Sequence, residues 1–194
     1  MKKYLTVIIL ILTVSGIAEG SDRARGYFLS IGVGPRMPVS NFAERSVLGY
    51  GGNFEISFTD DKFLPFFIYG KLGYEIFTGS QEYYQLSEYT HYSIAHVPMG
   101  LGIRYYMSPL IQNMIPIMPV FEAGFSLNVF QEVHDYKAGL GKNNYLEDGI
   151  APGFSFGVGV SAFALELMAN YNYVKSNQFL SLDLKLRLPL FVNF

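Results

Sequence analysis

From residue 182 to residue 194 every second position is apolar. Leu182, Leu184, Leu186, Leu188, Leu190, Val192 and Phe194 occupy one phase, and Asp183, Lys185, Arg187 and Asn193 fall in the other. Side chains alternate between the two faces of a strand, whereas a helix would scatter these residues around its circumference, so the segment reads as a strand with one apolar face. The same period runs through 27–34, 53–59, 66–76, 96–105, 121–129, 154–161 and 165–173. The connections after the first, third, fifth and seventh strands are long or polar, at 35–47, 77–92, 130–150 and 174–180. The others are generally shorter, at 60–63, at 108–116 and near Phe163. Eight strands with connections of alternating length predict an all-β fold: an antiparallel up-and-down meander closed into an eight-stranded transmembrane barrel over 21–194.

The start of the chain follows another rule. Lys2 and Lys3 precede an apolar-rich run over 4–14, and small residues follow up to Ala18 and Gly20. This is the pattern of a secretory signal peptide, expected to occupy 1–20 and to be cleaved. The 15 residues over 4–18 fall short of the roughly 20 that a spanning helix needs. No later window approaches that length without charge, Gly or Pro. Half of the 194 residues are nonetheless hydrophobic and only 15% are charged, well under the roughly 25% of an average soluble domain. A closed barrel is the other solution that satisfies the backbone in lipid.

The charges decide which face meets lipid. Glu55, Lys71, Glu75, Arg104, Glu122, Glu166, Asp183, Lys185 and Arg187 all sit opposite the apolar face, accompanied by Gly32, Gly51, Gly73, Gly100, Gly102, Gly124, Gly157 and Gly159. A secreted lipocalin-like barrel would put large apolar side chains inside, around a ligand. Here the small and charged residues are inside, and the lumen is expected to be filled by a near-neutral network of five acidic and four basic groups. Aromatic residues near the strand ends read as interfacial girdles, with Tyr27, Phe63, Phe66, Tyr105, Tyr106 and Phe194 at one end and Tyr50, Phe77, Phe130, Phe154 and Tyr173 at the other.

Taken together, these residues resemble the small eight-stranded outer-membrane β-barrel family that includes the OmpA membrane domain and OmpX. The most specific point is the C-terminus, where Arg187, Val192 and Phe194 match the family's assembly signal and Pro189 replaces its glycine. The resemblance implies the cell outer membrane as location, its lipid and lipopolysaccharide as surroundings, and reading of that signal by the barrel-assembly machinery. It also implies a monomer that acts without catalysis, through surface loops, in envelope integrity, adhesion or binding of an extracellular protein or other surface ligand. Pro189 and Pro98 lack a ladder donor, and Pro98 suggests a bulge in the fourth strand.

Two alternatives attach to particular residues. His91 and Ser93, two apart on a strand, resemble the His-x-Ser of PagL-type lipid A deacylases, which implies ester hydrolysis with Ser93 as nucleophile and His91 as base. Ile94 stands where that family has Asn, and Glu75 or Glu122 would have to orient the histidine from another strand. The charged lumen could alternatively line a narrow channel. Composition excludes more than it adds. The formal charge is −2, or −3 once Lys2, Lys3 and Glu19 are removed, which offers no basic footprint for nucleic acid. Without cysteine there is no disulfide, thiol nucleophile or cysteine metal site. His91, His96 and His134 form no spaced metal motif, and no cofactor is expected.

Overall fold

Wherever the apolar alternation runs, the chain is extended and paired. The computed structural model describes residues 25–110 and 116–193; the predicted signal peptide and Phe194 of the assembly signal lie outside the described residues. The order is β1 (Arg25–Pro38), α1 (Asn41–Arg45), β2 (Gly49–Asp60), β3 (Phe66–Thr78), α2 (Gln81–Leu86), β4 (Tyr89–Tyr106), β5 (Ile117–Tyr136), β6 (Tyr145–Ala162), β7 (Leu165–Val174) and β8 (Phe179–Asn193). Each strand pairs antiparallel with the next and β8 closes on β1, so the barrel has no open edge. No described helix is long and apolar enough to cross a membrane. Phe54, Ile56, Leu72, Leu101, Phe125, Phe156 and Leu184 are exposed on the outside, while Ser30, Glu55, Arg104, Glu166, Asp183 and Lys185 are buried inside.

The two ends of the barrel differ. One carries the turns 61–65 and 163–164 and the 107–116 connection. The other carries α1, α2, and the loops 137–144 and 175–178. At this loop end β4, β5 and β6 continue well past the limits that hydrophobicity indicates, so most of 130–150 is strand and only 137–144 is loop. The reason lies on the outer face. Beyond Val97, Val129 and Ile150 it carries His91, Ser93, Gln131, Asp135 and Asp148 between Ala95, Val133 and Leu146, so the apolar run is broken while the hydrogen-bond ladder continues. The 20 residues of β5, at about 3.3 Å each and about 45° of tilt, rise roughly 47 Å, against an apolar band about 25 Å tall. The extension is therefore β-structure that reaches beyond the belt.

Several local expectations are corrected. Tyr27 faces Phe191 and Phe28 faces Pro189, which leaves Leu190 as an extra residue. The alternation changes phase there, and Val192 pairs with Gly26 on the lumen side instead of continuing the face of Leu188. A proline without a ladder donor favours such a bulge. Pro98 causes none: β4 keeps one register with β3 from Met99 to His96 and with β5 through Asn128. The reversal at 163–164 is a two-residue turn that puts Phe163 at φ 53, a left-handed conformation usually left to Gly or Asn.

The expected girdles lose three members. Phe77 and Tyr106 are buried, and Phe130 lies on the inner face beside His96. Phe77 belongs to an apolar plug at the loop end, where Phe42 of α1 packs with Ile94, Val174 and Phe179. Tyr106 belongs to a second plug at the turn end, with Phe67, Val120, Met168 and the half-buried Phe28 and Met118. The lumen is thus closed by apolar side chains at both mouths.

Candidate functional site

Between the plugs the inward charges form two clusters. Arg104, fully buried, is held by carboxylates from three other strands: its Nη1 donates to Glu55 Oε1 at 2.6 Å and to Glu166 Oε2 at 3.3 Å, and its Nη2 to Glu55 Oε2 at 2.7 Å and Glu122 Oε2 at 2.6 Å. Lys185 lies 3.2 Å from Glu55 and 3.6 Å from Glu122. Arg187 reaches Glu166 at 3.3 Å and is enclosed by the rings of Phe28, Phe67 and Tyr106, whose hydroxyl donates to Glu166 at 2.5 Å. Tyr69 lies against the Arg104 guanidinium, 5.0 Å from ring centre to Cζ, and its phenol crosses Gly102 and Gly124 where a Cβ would collide with it.

The second cluster centres on Arg36, which the sequence pattern assigned to a loop. It donates to Glu75 at 3.0 Å and Asp183 at 2.8 Å, and Asn53 adds a bond to Asp183 at 3.1 Å. Because β1 runs to Pro38, Arg36 takes an inward position and brings the expected lumen set to five acidic and five basic groups. Lys71 makes no ion pair within 4.0 Å among the described residues. It lines a cavity of about 20 Å³ with Tyr69, Glu75, Ser126 and Asn128, room for about one water.

The deacylase constellation is not assembled as expected. His91 is exposed and Ser93 half-buried, both on the outer face of β4, while Glu75 and Glu122 face the lumen and cannot orient the histidine. The residue opposite His91 is Asp135. Among the described residues no hydrogen bond or ion pair joins His91 to Ser93 or Asp135.

A different set of residues converges on the inner face of the loop-end extension. Cross-strand pairing places Tyr92 opposite His134, His134 opposite Tyr145, and Glu132 opposite Glu147. The rings of His134 and Tyr145 stack at 4.4 Å and 7°, and Tyr89 and Tyr92 close on the same imidazole at 5.1 and 5.2 Å. Tyr136 and Tyr83 extend the aromatic surface through Tyr89, at 4.9 and 6.0 Å. Tyr92 donates to Glu132 at 3.0 Å, and Arg45 of α1 stands 3.9 Å from the same carboxylate. The 137–144 loop is tied back to the segment before β4: Lys137 donates to the Ser87 carbonyl at 2.7 Å and Lys142 pairs with Glu88. That hydrogen bond raises the Lys142 pKa above the ordinary lysine value. The sequence pattern missed this cluster because its residues lie in segments read as loop. The available signal was the period of two itself, with Glu132, His134 and Tyr136 sharing one face.

No protein-family model matches the chain, and no curated protein sequence does. Solved structures do. A major outer membrane protein from Thermus thermophilus superposes with a TM-score of 0.55 at 15% identity, over 85% of this chain and 99% of that one. Neisserial surface protein A gives a TM-score of 0.49 at 17% identity over 91% and 100%. Ail of Yersinia pestis, solved with the heparin analogue sucrose octasulfate, gives 0.42 at 8% over 87% and 100%. The fold is that of the small outer-membrane β-barrels, and the continuous apolar exterior is the surface such a barrel presents to lipid. In such barrels the longer loops lie on the extracellular side; here α1, α2 and the 137–144 loop gather at one end.

Proposed function

We propose that the chain is a non-enzymatic outer-membrane barrel that binds an extracellular partner through the β4–β5–β6 extension. The observation that carries this reading is the group of five tyrosines at least partly open to solvent, Tyr83, Tyr84, Tyr89, Tyr136 and Tyr145, gathered around the buried Tyr92 on β-structure beyond the apolar belt and on α2 beside it. Tyrosine offers a large amphipathic contact area at low conformational-entropy cost, which suits a recognition surface. The closed lumen supports the same reading: two apolar plugs and a paired charge network make the barrel a pedestal, and they weigh against a continuous column of water. Cleavage of residues 1–20, assembly through the machinery that reads Arg187, Val192 and Phe194, and a monomer embedded in lipid and lipopolysaccharide belong to this proposal.

Adherence of cells displaying the barrel to immobilised host-cell layers tests it. The wild type is expected to raise adherence, and the combined Tyr89→Ser, Tyr136→Ser and Tyr145→Ser variant to abolish the gain at equal surface level. Unchanged adherence in the wild type, with a changed detergent sensitivity of the envelope, would instead favour an integrity role.

A further inference from the structure

Glu132 and Glu147 face each other across β5 and β6, an arrangement of like charges that is unfavourable by itself. The cations nearby do not resolve it. Arg45 lies 3.9 Å from Glu132 and spends hydrogen bonds on Asn177 and on the Ser176 carbonyl at 2.9 Å. Lys137 and Lys142 of the same hairpin are turned to Ser87 and Glu88. His134 completes the group. It is only 6% exposed, yet neither ring nitrogen has a hydrogen-bond partner. Two buried, unpaired nitrogens carry a desolvation cost that an ordinary core histidine avoids. Its Nε2 points toward Glu132, 3.6 Å from Oε2, and one ligand atom from each of Glu132, His134 and Glu147 lies within 4.8 Å of the others.

We infer that Glu132, His134 and Glu147 form a divalent transition-metal site, of the zinc type, at the loop end of the barrel. One imidazole nitrogen and two carboxylate oxygens make a borderline donor set that suits Zn²⁺ better than Ca²⁺ or Mg²⁺, which prefer oxygen alone. The distances are a little wide for metal–ligand bonds near 2.0–2.2 Å. Glu147 is the exposed member and is free to close the set by a change of rotamer, with solvent filling the remaining position. A bound cation would neutralise the facing carboxylates and satisfy the orphaned imidazole at once. It would also clip β5 to β6 just below the 137–144 loop. The inference stands apart from the partner-binding reading, since a clip of this kind needs no partner.

The chain contains no tryptophan, so its emission comes from its 15 tyrosines; Tyr89, Tyr92 and Tyr145 surround His134, and the part of a zinc-induced change that is lost in His134→Phe reports on the site. The full mature barrel, refolded in micelles, is titrated with ZnCl₂ and followed by calorimetry and tyrosine fluorescence, and Co²⁺ is added separately to read its visible absorption bands. Wild type is expected to take up one Zn²⁺ with a fluorescence change, and to show Co²⁺ bands of a mixed imidazole and carboxylate site. His134→Phe, which keeps the ring stack on Tyr145, is expected to lose both signals, and the exposed-site variant Glu147→Gln to bind more weakly while keeping wild-type heat-modifiable mobility. A wild type that binds no zinc, or zinc binding that survives in His134→Phe, overturns the inference. So does calcium binding of equal strength, because it would reduce the site to a pair of acids. Should His134→Phe fail to fold, undiminished zinc affinity in Glu147→Gln overturns it and weakened affinity supports it.

Discussion

Replacing Arg104 by Met removes the centre of the larger lumen cluster. Three carboxylates, Glu55, Glu122 and Glu166, are there matched by three cations, Arg104, Lys185 and Arg187. Without Arg104 the cluster keeps a net charge of −1, and Glu55 and Glu122 retain only Lys185, at 3.2 and 3.6 Å. Removing one partner of a buried ion pair costs about 3–5 kcal/mol, because the other charge stays buried. At about 1.4 kcal/mol per factor of ten, that is a fall of roughly 100- to 4,000-fold in the folded-to-unfolded ratio. Urea titration of the barrel refolded into phospholipid vesicles, read by heat-modifiable gel mobility, measures it directly. Adding Glu122→Gln to Arg104→Met is expected to recover part of the loss, since it removes the excess charge. Arg104→Lys is expected to fall between, because an ammonium keeps the charge but cannot fork between Glu55 and Glu122. A loss below about 1 kcal/mol, or a double variant whose losses simply add, would refute the view that the lumen is held by mutual neutralisation.

Other outcomes follow from the same geometry. Leu184→Lys, on the outer face between Leu182 and Leu186, is expected to cost about 2–4 kcal/mol in the vesicle assay if that face meets lipid; a change within about 0.5 kcal/mol would mark a water-facing surface. Gly102→Ala places a Cβ 2.6 Å from the Ala123 carbonyl and against the Tyr69 ring, so overpacking of about 1–3 kcal/mol is expected in urea titration. Ser93→Ala is expected to leave lipid A acylation unchanged by mass spectrometry; an acyl chain missing from wild-type cells and restored in this variant would make the barrel an ester hydrolase.

The period of two carried most of the architecture, because one face of every strand meets lipid and had to be apolar from Leu29 to Leu188. It failed where the environment changed. Past Val129 the outer face alternates polar Gln131 and Asp135 with a single apolar residue, Val133, so the period no longer advertises a strand, although the backbone pairs as before. Arg36 was hidden for a related reason, at the far end of β1 beyond Pro35. The inward aromatic residues Phe77, Tyr106 and Phe130 sat at strand ends, where composition alone cannot separate a girdle from a plug; only parity with Glu75, Arg104 and Asn128 does. The Glu132, His134 and Glu147 cluster depends on β5–β6 register, a long-range property that residue spacing does not carry.

A membrane-embedded barrel with its β4–β5–β6 extension at the cell surface can be tested directly on intact cells. The absence of native cysteine allows single thiols to test it with a membrane-impermeant maleimide on intact cells. Asn143→Cys, in the 137–144 loop, is expected to label without permeabilisation, and Asp61→Cys, in the β2–β3 turn, only after it. The reverse order, or equal labelling of both in intact cells, would contradict this placement.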